Sequence, residues 1–208
     1  MARWEPDARG RLTKAAMELF QDPGYEHATV EAIAARAGLT ERTFFRYFAD
    51  KREVLFSGSK DLEKSVIESI AGAPIEVSPL DAIADALSLW GAKLEARNDM
   101  HYVRVRYALV VKHADLQERE LIKLAALAVA VTRALHARGV LEPSASLAAE
   151  AGMAIFKIGF ERWVHERKPK DLAGHIRAAL DALRAVTAER PAPRMRAKPK
   201  TKRPAAVR

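Results

Sequence analysis

Thr29–Lys51 reads TVEAIAARAGLTERTFFRYFADK. Val30, Ile33, Ala34 and Ala37 recur at helical spacing behind Thr29, a residue that caps helices well. Gly38 follows, the residue type that closes a helix in the left-handed conformation. Thr40 then caps a second short helix running to about Tyr47. Two short helices joined by a glycine turn, the second with a polar start and an aromatic end, form the pattern of a helix that enters a DNA groove. Within it, Thr40, Glu41, Arg42 and Thr43 make up the exposed start. Arginine takes a guanine edge with two hydrogen bonds, and threonine bonds a base or touches a thymine methyl. Glu41 accepts from a cytosine amine or stays solvated. Phe44 and Phe48, four apart, are expected on the buried side. Thr29 at one helix start and Lys51 at another are placed to hold phosphates, with Arg46 and Tyr47 extending the grip. A capped helical pair with a glycine turn also occurs in many helical proteins, so the placement of each residue has to carry the reading.

Working outward, Leu12, Ala15, Ala16, Leu19 and Phe20 mark a preceding helix over Arg9–Gln21, ended by Asp22-Pro23-Gly24. Residues 1–8 are expected to be a loose arm. Asp50 caps a fourth helix, with Glu53 completing a capping box, and this helix is expected to run on through Val54, Leu55, Leu62, Val66 and Ile70. After a connector, five helices follow at roughly 79–97, 99–112, 115–138, 143–167 and 170–189, punctuated by Asn98-Asp99, Ala114-Asp115, Gly139, Pro143 and Lys168-Pro169. Tyr102–Val111 is rich in β-branched and aromatic residues and fits a buried strand. It is read as helix because a lone strand would lack a partner. The fold class is therefore all-α: an N-terminal three-helix helix-turn-helix domain plus a C-terminal helical domain, about nine helices in all.

The net charge of +8 suggests nucleic-acid binding until it is counted by segment. Residues 190–208 hold eight basic residues, four prolines and no acid, so the other 189 positions carry 27 basic and 27 acidic residues (35 − 8 against 27). The body is formally neutral. The tail reads as disordered, either adding unspecific affinity for phosphates or only solubility. There is no cysteine, which excludes disulfides and thiolate metal sites. Neither a leader peptide nor a membrane-spanning run is apparent, so a soluble cytoplasmic protein without membrane partners is expected. Six histidines fall in no two-histidine metal spacing, although Glu161 with His165 and Asp171 with His175 stand four apart. No glycine-rich phosphate loop or nucleophile motif is present. The expectation is no enzyme, no cofactor and no metal.

Residues 11–55 resemble the N-terminal domain of the TetR (tetracycline repressor) family of bacterial regulators. The resemblance is carried by Ala15-Ala16, Leu19-Phe20, Gly24-Tyr25, Thr29-Val30, Ile33-Ala34, Ala37-Gly38, the run Thr43–Phe48, Lys51-Arg52-Glu53 and Leu55. It implies a recognition helix over Thr40–Tyr47 and phosphate contacts at Thr29, Tyr47 and Lys51. The family usually has tyrosine where this chain has Phe45, which removes a hydroxyl from that contact. Glu41-Arg42 replaces commoner small residues and should alter which bases are read.

The resemblance fades after about residue 60. It implies residues 1–56 as the DNA-binding domain and 57–189 as an effector-binding and dimerisation domain, with 190–208 as the basic tail. The partners implied are a palindromic double-stranded operator, a second copy docked through helices at about 143–167 and 170–189, and an unknown small-molecule effector. Leu147, Ala151, Ala154, Ile155, Ile158 and Gly159 form one face suited to close packing; Leu172, Ile176, Ala179, Leu180 and Leu183 form another. Either face also fits packing inside one subunit. Aromatics and lone polar groups on apolar helices nominate Trp90, Tyr102, Arg104, Tyr107, His113, Phe156, Phe160 and Trp163 for a ligand pocket. Arg104 and Arg106 are suited to an anionic group, or to pairing with a local acid. The expected function is a ligand-responsive homodimeric repressor. An activator or ligand-independent regulator is the alternative, followed by a helical small-molecule-binding protein or enzyme with an incidental helix-turn-helix.

Overall fold

In the computed structural model, residues 7–97, 99–167 and 171–188 are described. The basic segment 190–208, most of the expected N-terminal arm, and the breaks at Asn98 and Lys168-Pro169 lie outside them. Among the described residues there are ten α-helices and no strand: α1 (Ala8–Leu19), α2 (Val30–Arg36), α3 (Glu41–Tyr47), α4 (Lys51–Leu55), α5 (Ser59–Gly72), α6 (Pro79–Ala96), α7 (Met100–Lys112), α8 (Ala114–Ala137), α9 (Ser144–His165) and α10 (Leu172–Thr187). A π turn, Phe20–Gly24, closes α1.

The short helices are set by their ends. Thr29 Oγ1 accepts from the Ala32 amide at 3.1 Å and Thr40 Oγ1 from the Thr43 amide at 3.2 Å, each satisfying a donor the first turn leaves unpaired. Gly38 adopts φ 66°, its amide bonding Ala35 O and the Leu39 amide bonding Ala34 O, the paired bonds of a Schellman turn. Arg11 of α1 donates to the Ala37 carbonyl and so pins this turn to the first helix. The stretch Tyr102–Val111 is helical within α7.

The count of ten exceeds the nine expected because the fourth helix is two. Leu55 ends α4, and the chain turns through Phe56, Ser57 and Gly58 before α5 begins. In a continuous helix the Ser59 amide would bond Leu55 O; it bonds Phe56 O at 3.0 Å instead. Arg106 Nε supplies the missing donor to Leu55 O at 2.8 Å, and Phe56 turns its ring inward, 3% exposed. The break is thus held by a side chain from α7, which no local pattern records.

Two apolar clusters organise the molecule. One joins Leu12, Ala16, Phe20, Ile33, Phe44, Phe48, Leu55 and Phe56 of the first four helices, and Val110 and Leu116 of α7 and α8 enter it. The other is built on α5, α6 and α8–α10 around Ile83, Leu87, Leu135, Trp163 and Ile176. Glycines set the close approaches in the second. A Cβ on Gly152 would stand 2.6 Å from Ile83 Cγ2, and one on Gly159 3.1 Å from the Ile176 backbone. Trp163, fully buried, donates through Nε1 to Glu95 at 2.9 Å; it belongs to the core and not to a pocket.

The apolar face of α10 named from the sequence is consumed inside the chain. Leu172, Ile176, Ala179 and Leu180 are buried and Leu183 packs against them, because that stripe meets α6 and α9 of its own subunit. The face named on α9 divides. Ile155 and Gly159 turn inward, whereas Leu147, Ala154 and Ile158 are exposed.

Candidate DNA-reading face and the cleft above it

Helical periodicity sorts α3 cleanly. Phe44 and Phe48 are buried with ring centroids 5.4 Å apart. Glu41, Arg42, Phe45, Arg46 and Tyr47 are exposed on the other sides. The Thr40 and Thr43 hydroxyls share a hydrogen bond of 3.0 Å, so part of their capacity is spent within the helix start. Arg42 projects from the first turn. Arg46 lies over the Tyr47 ring at 4.9 Å and donates to its hydroxyl at 3.2 Å. Phe45 is 54% exposed, its ring set edge-on to Phe44 at 5.6 Å. The face therefore presents guanidinium, carboxylate and apolar ring together, the chemistry that base edges and thymine methyls can discriminate.

The flanking pair expected to hold phosphates differs in character. Thr29 is exposed, and its oxygen caps α2. Lys51 turns inward. Its ammonium donates to the carbonyls of Tyr25 at 2.8 Å, Ala28 at 3.0 Å and Glu26 at 3.3 Å, and stands 4.6 Å over the Tyr25 ring. Three carbonyls left open between the π turn and α2 explain this: a lysine at the start of α4 satisfies them all at once. The side chain organises the loop ahead of α2, where a phosphate contact was expected.

The capping box expected at Asp50 and Glu53 is half present. Asp50 accepts from the Arg52 and Glu53 amides at 2.8 and 3.2 Å. The Glu53 carboxylate does not return to Asp50; it meets Arg119 at 2.5 Å and Lys123 at 3.0 Å on α8. Burial alone would raise its pKa, but hydrogen bonds and charge from Lys123 and Arg119 outweigh that and hold it below the usual glutamate value. Beside this, the Tyr25 hydroxyl donates to Asp115 at 2.7 Å, and burial together with Asp115 pushes the phenol above its ordinary range. The His113 ring lies 4.7 Å from that of Tyr25 and its Nδ1 is 3.0 Å from Glu26. The reading unit is thus bound to α8 by polar contacts as well as by Leu116, and to α7 by Val110.

Above it lies a cleft of about 820 Å³, bounded by α1, the α4–α5 break and the facing sides of α6–α9. That volume falls within the range that encloses drug-sized ligands. Of the residues nominated from sequence, Trp90, Tyr102, Phe156 and Phe160 line it, with Trp90 and Phe156 centroids 5.6 Å apart and Phe156 and Phe160 5.8 Å. Four nominations fall elsewhere, Trp163 among them in the core. Arg104 donates to the carbonyls of Val164, Glu166 and Arg167, closing the end of α9. Tyr107 packs behind Phe160 and against His165. His113 sits at the joint with Tyr25. Sequence reasoning missed Met17, Phe56 and Leu124 as lining, because the cleft gathers helices far apart in the chain. The Ser57-Gly58 pair after Phe56 was the only local hint. Among the described residues no group of three metal-binding side chains occurs, and no helix is long and apolar enough to cross a membrane.

A capped helical pair displaying an arginine-bearing helix, mounted on a separate helical body, defines a helix-turn-helix protein. Residues 12–57 match the sequence model of the bacterial regulatory proteins, tetR family. Over this segment the chain is similar to the tetR family. It is similar to the HTH-type transcriptional regulator TcmR of Streptomyces glaucescens, with 38% identity over 78 residues, 38% of this chain and 34% of that protein. It is also similar to HbdR of Aromatoleum sp. (strain CIB), with 27% identity over 97 residues, 45% and 41% of the two chains. The chain thus spans less than half the length of the curated relatives it matches. The solved structure of Thermus thermophilus FadR, described as a transcriptional repressor in complex with lauroyl-CoA, shares the fold with a TM-score of 0.54 at 24% identity, covering 91% of this chain and 100% of that one. FadR from Bacillus halodurans does so with a TM-score of 0.59 at 19% identity, covering 90% and 100%.

Proposed function

We propose that this chain is a DNA-binding transcription regulator acting as a homodimeric, ligand-responsive repressor at a two-fold symmetric operator in the cytoplasm. The observation that carries the reading is the exposed row of Glu41, Arg42, Phe45 and Arg46 on α3, held outward by the burial of Phe44 and Phe48. In this reading Arg42, Thr43 and their neighbours meet base edges, and Thr29 and Tyr47 meet phosphates. Residues 1–56 read DNA, and 57–189 dimerise and bind an effector. A single seven-residue helix reads few base pairs, so a dimer that doubles the site is needed for specificity. The exposed Leu147, Ala154 and Ile158 of α9, with the outer side of α10 at Ala178, Ala182 and Val186, supply its contact face.

The effector site is the cleft. Its aromatic wall suits an apolar or amphipathic small molecule, and the acyl-CoA held by the Thermus relative is of that kind. An effector that binds the DNA-incompetent arrangement more tightly shifts the population away from the spacing of about 34–36 Å that successive major grooves demand. Selection of binding sequences from a randomised duplex pool by the full-length chain tests the reading. Enrichment of a two-fold symmetric motif is expected, and a pool that remains random overturns it.

A further inference from the structure

We propose that Arg106 is the positioning residue through which an occupant of the cleft acts on α4, and so on the reading helix. The inference rests on the cleft being the effector site. Arg106 projects from α7 into the cleft wall, where Leu55, Phe56 and Glu120 also stand. Its Nε donates to Leu55 O at 2.8 Å, its Nη2 meets Glu120 Oε2 at 2.6 Å, and its guanidinium lies 5.1 Å over the Phe56 ring. Leu55 O is the carbonyl released by the break between α4 and α5, so the end of α4 is fastened by this one side chain to the lining of the cavity. The other polar link from α4 to the body, Glu53 with Arg119 and Lys123, has none of its members in the cleft lining. It holds α4 whether or not the cleft is filled.

A guanidinium is a planar fork whose donors are aimed by its partners. An occupant that offers it an acceptor, or that presses Phe56 from beneath it, competes with Leu55 O for the same N–H. Loss of that bond frees the C-terminal end of a five-residue helix whose other end joins α3 through Phe48, Ala49 and Asp50. The polar link between the cleft and the reading helix thereby runs through one side chain, beside the apolar packing of Leu55 and Phe56.

The test uses the full-length chain, an operator obtained from the selection above, and anilinonaphthalenesulfonate, an aromatic anion whose fluorescence reports binding, as the probe. Leu124→Trp, which fills the cleft, serves to show that the probe binds there. In the wild type, saturating probe is expected to weaken operator binding about tenfold. Arg106→Gln, taken to its own saturating probe concentration as read by the fluorescence, should change its operator affinity less than about twofold when the probe is added. Arg106→Lys, which keeps a cation facing Glu120, should recover part of the response. A full response in Arg106→Gln, or an unchanged ratio with both affinities reduced, would make Arg106 merely structural and overturn the proposal. A probe that is excluded by Leu124→Trp and leaves the wild-type operator affinity unaltered overturns the effector site itself, and the inference with it. Amide exchange across residues 51–58 of the wild type gives a readout free of variants: faster exchange with probe is expected, and unchanged protection counts against the link.

Discussion

Glu53 occupies the position where a capping box would use it, and its carboxylate serves α8 instead. Removing the charge with Glu53→Gln leaves Arg119 and Lys123 without their shared partner and should cost about 1–3 kcal/mol of stability at neutral pH. The sign with pH follows from the lowered pKa. A carboxylate whose native value lies below 4.5 adds stability that is complete above the ordinary value and disappears as pH falls through the native one. Chemical denaturation of wild type and variant should therefore differ at pH 7 and converge under acid; a gap independent of pH would sink the assignment. Arg42 makes the complementary case, since it is exposed and serves no contact needed for packing. Arg42→Ala should relax base preference at one operator position and cost roughly 1–3 kcal/mol of binding, read by gel shift on single-base operator variants. Both residues were singled out from the sequence. That Glu53 would leave its own helix was not legible, because its partners lie 66 and 70 residues away.

Helices were legible to within about two residues at most of their ends, since a cap or a glycine is a local event. The exception is the α4–α5 break, where Val54, Leu55, Leu62 and Val66 keep helical spacing across an interruption made by α7. Close packing was half legible. Gly159 was noted as a small residue, but only the assembled helices show that it faces Ile176 and not a second subunit. Gly159→Ala should therefore destabilise the fold. A new methyl 3.1 Å from the Ile176 backbone forces α9 and α10 apart, at about 1–3 kcal/mol, more than the roughly 1 kcal/mol that alanine gains in helix propensity. A fall in Tm of a few degrees is expected by circular dichroism. Gly72→Ala, where an added Cβ meets nothing within 4 Å, provides the control and should leave Tm unchanged or higher.

In the proposed homodimer, the outer side of α9 is the apolar surface a second copy covers. Ile158 is 45% exposed and Leu147 67% exposed on the outer side of α9. Ile158→Glu should convert the dimer to monomer in sedimentation velocity while changing the stability of the isolated subunit by no more than about 0.5 kcal/mol, the ordinary range for a surface substitution. Operator affinity should fall at least about tenfold with it, and an intact dimer would redirect the interface to another face. From residue order alone came the helices, their caps, the glycine turn, the buried and exposed sides of α3, and the neutrality of the body once its basic tail is set apart. These are local, repeating with a period of 3.6 residues or settled by one or two neighbours. The inward turn of Lys51, the tie from Arg106 to Leu55, the division of the α9 face and the cleft beneath Trp90 and Phe160 required the packed chain. Each depends on which distant helix arrives beside a residue, and helical periodicity gives the facing side of a helix but not its partner.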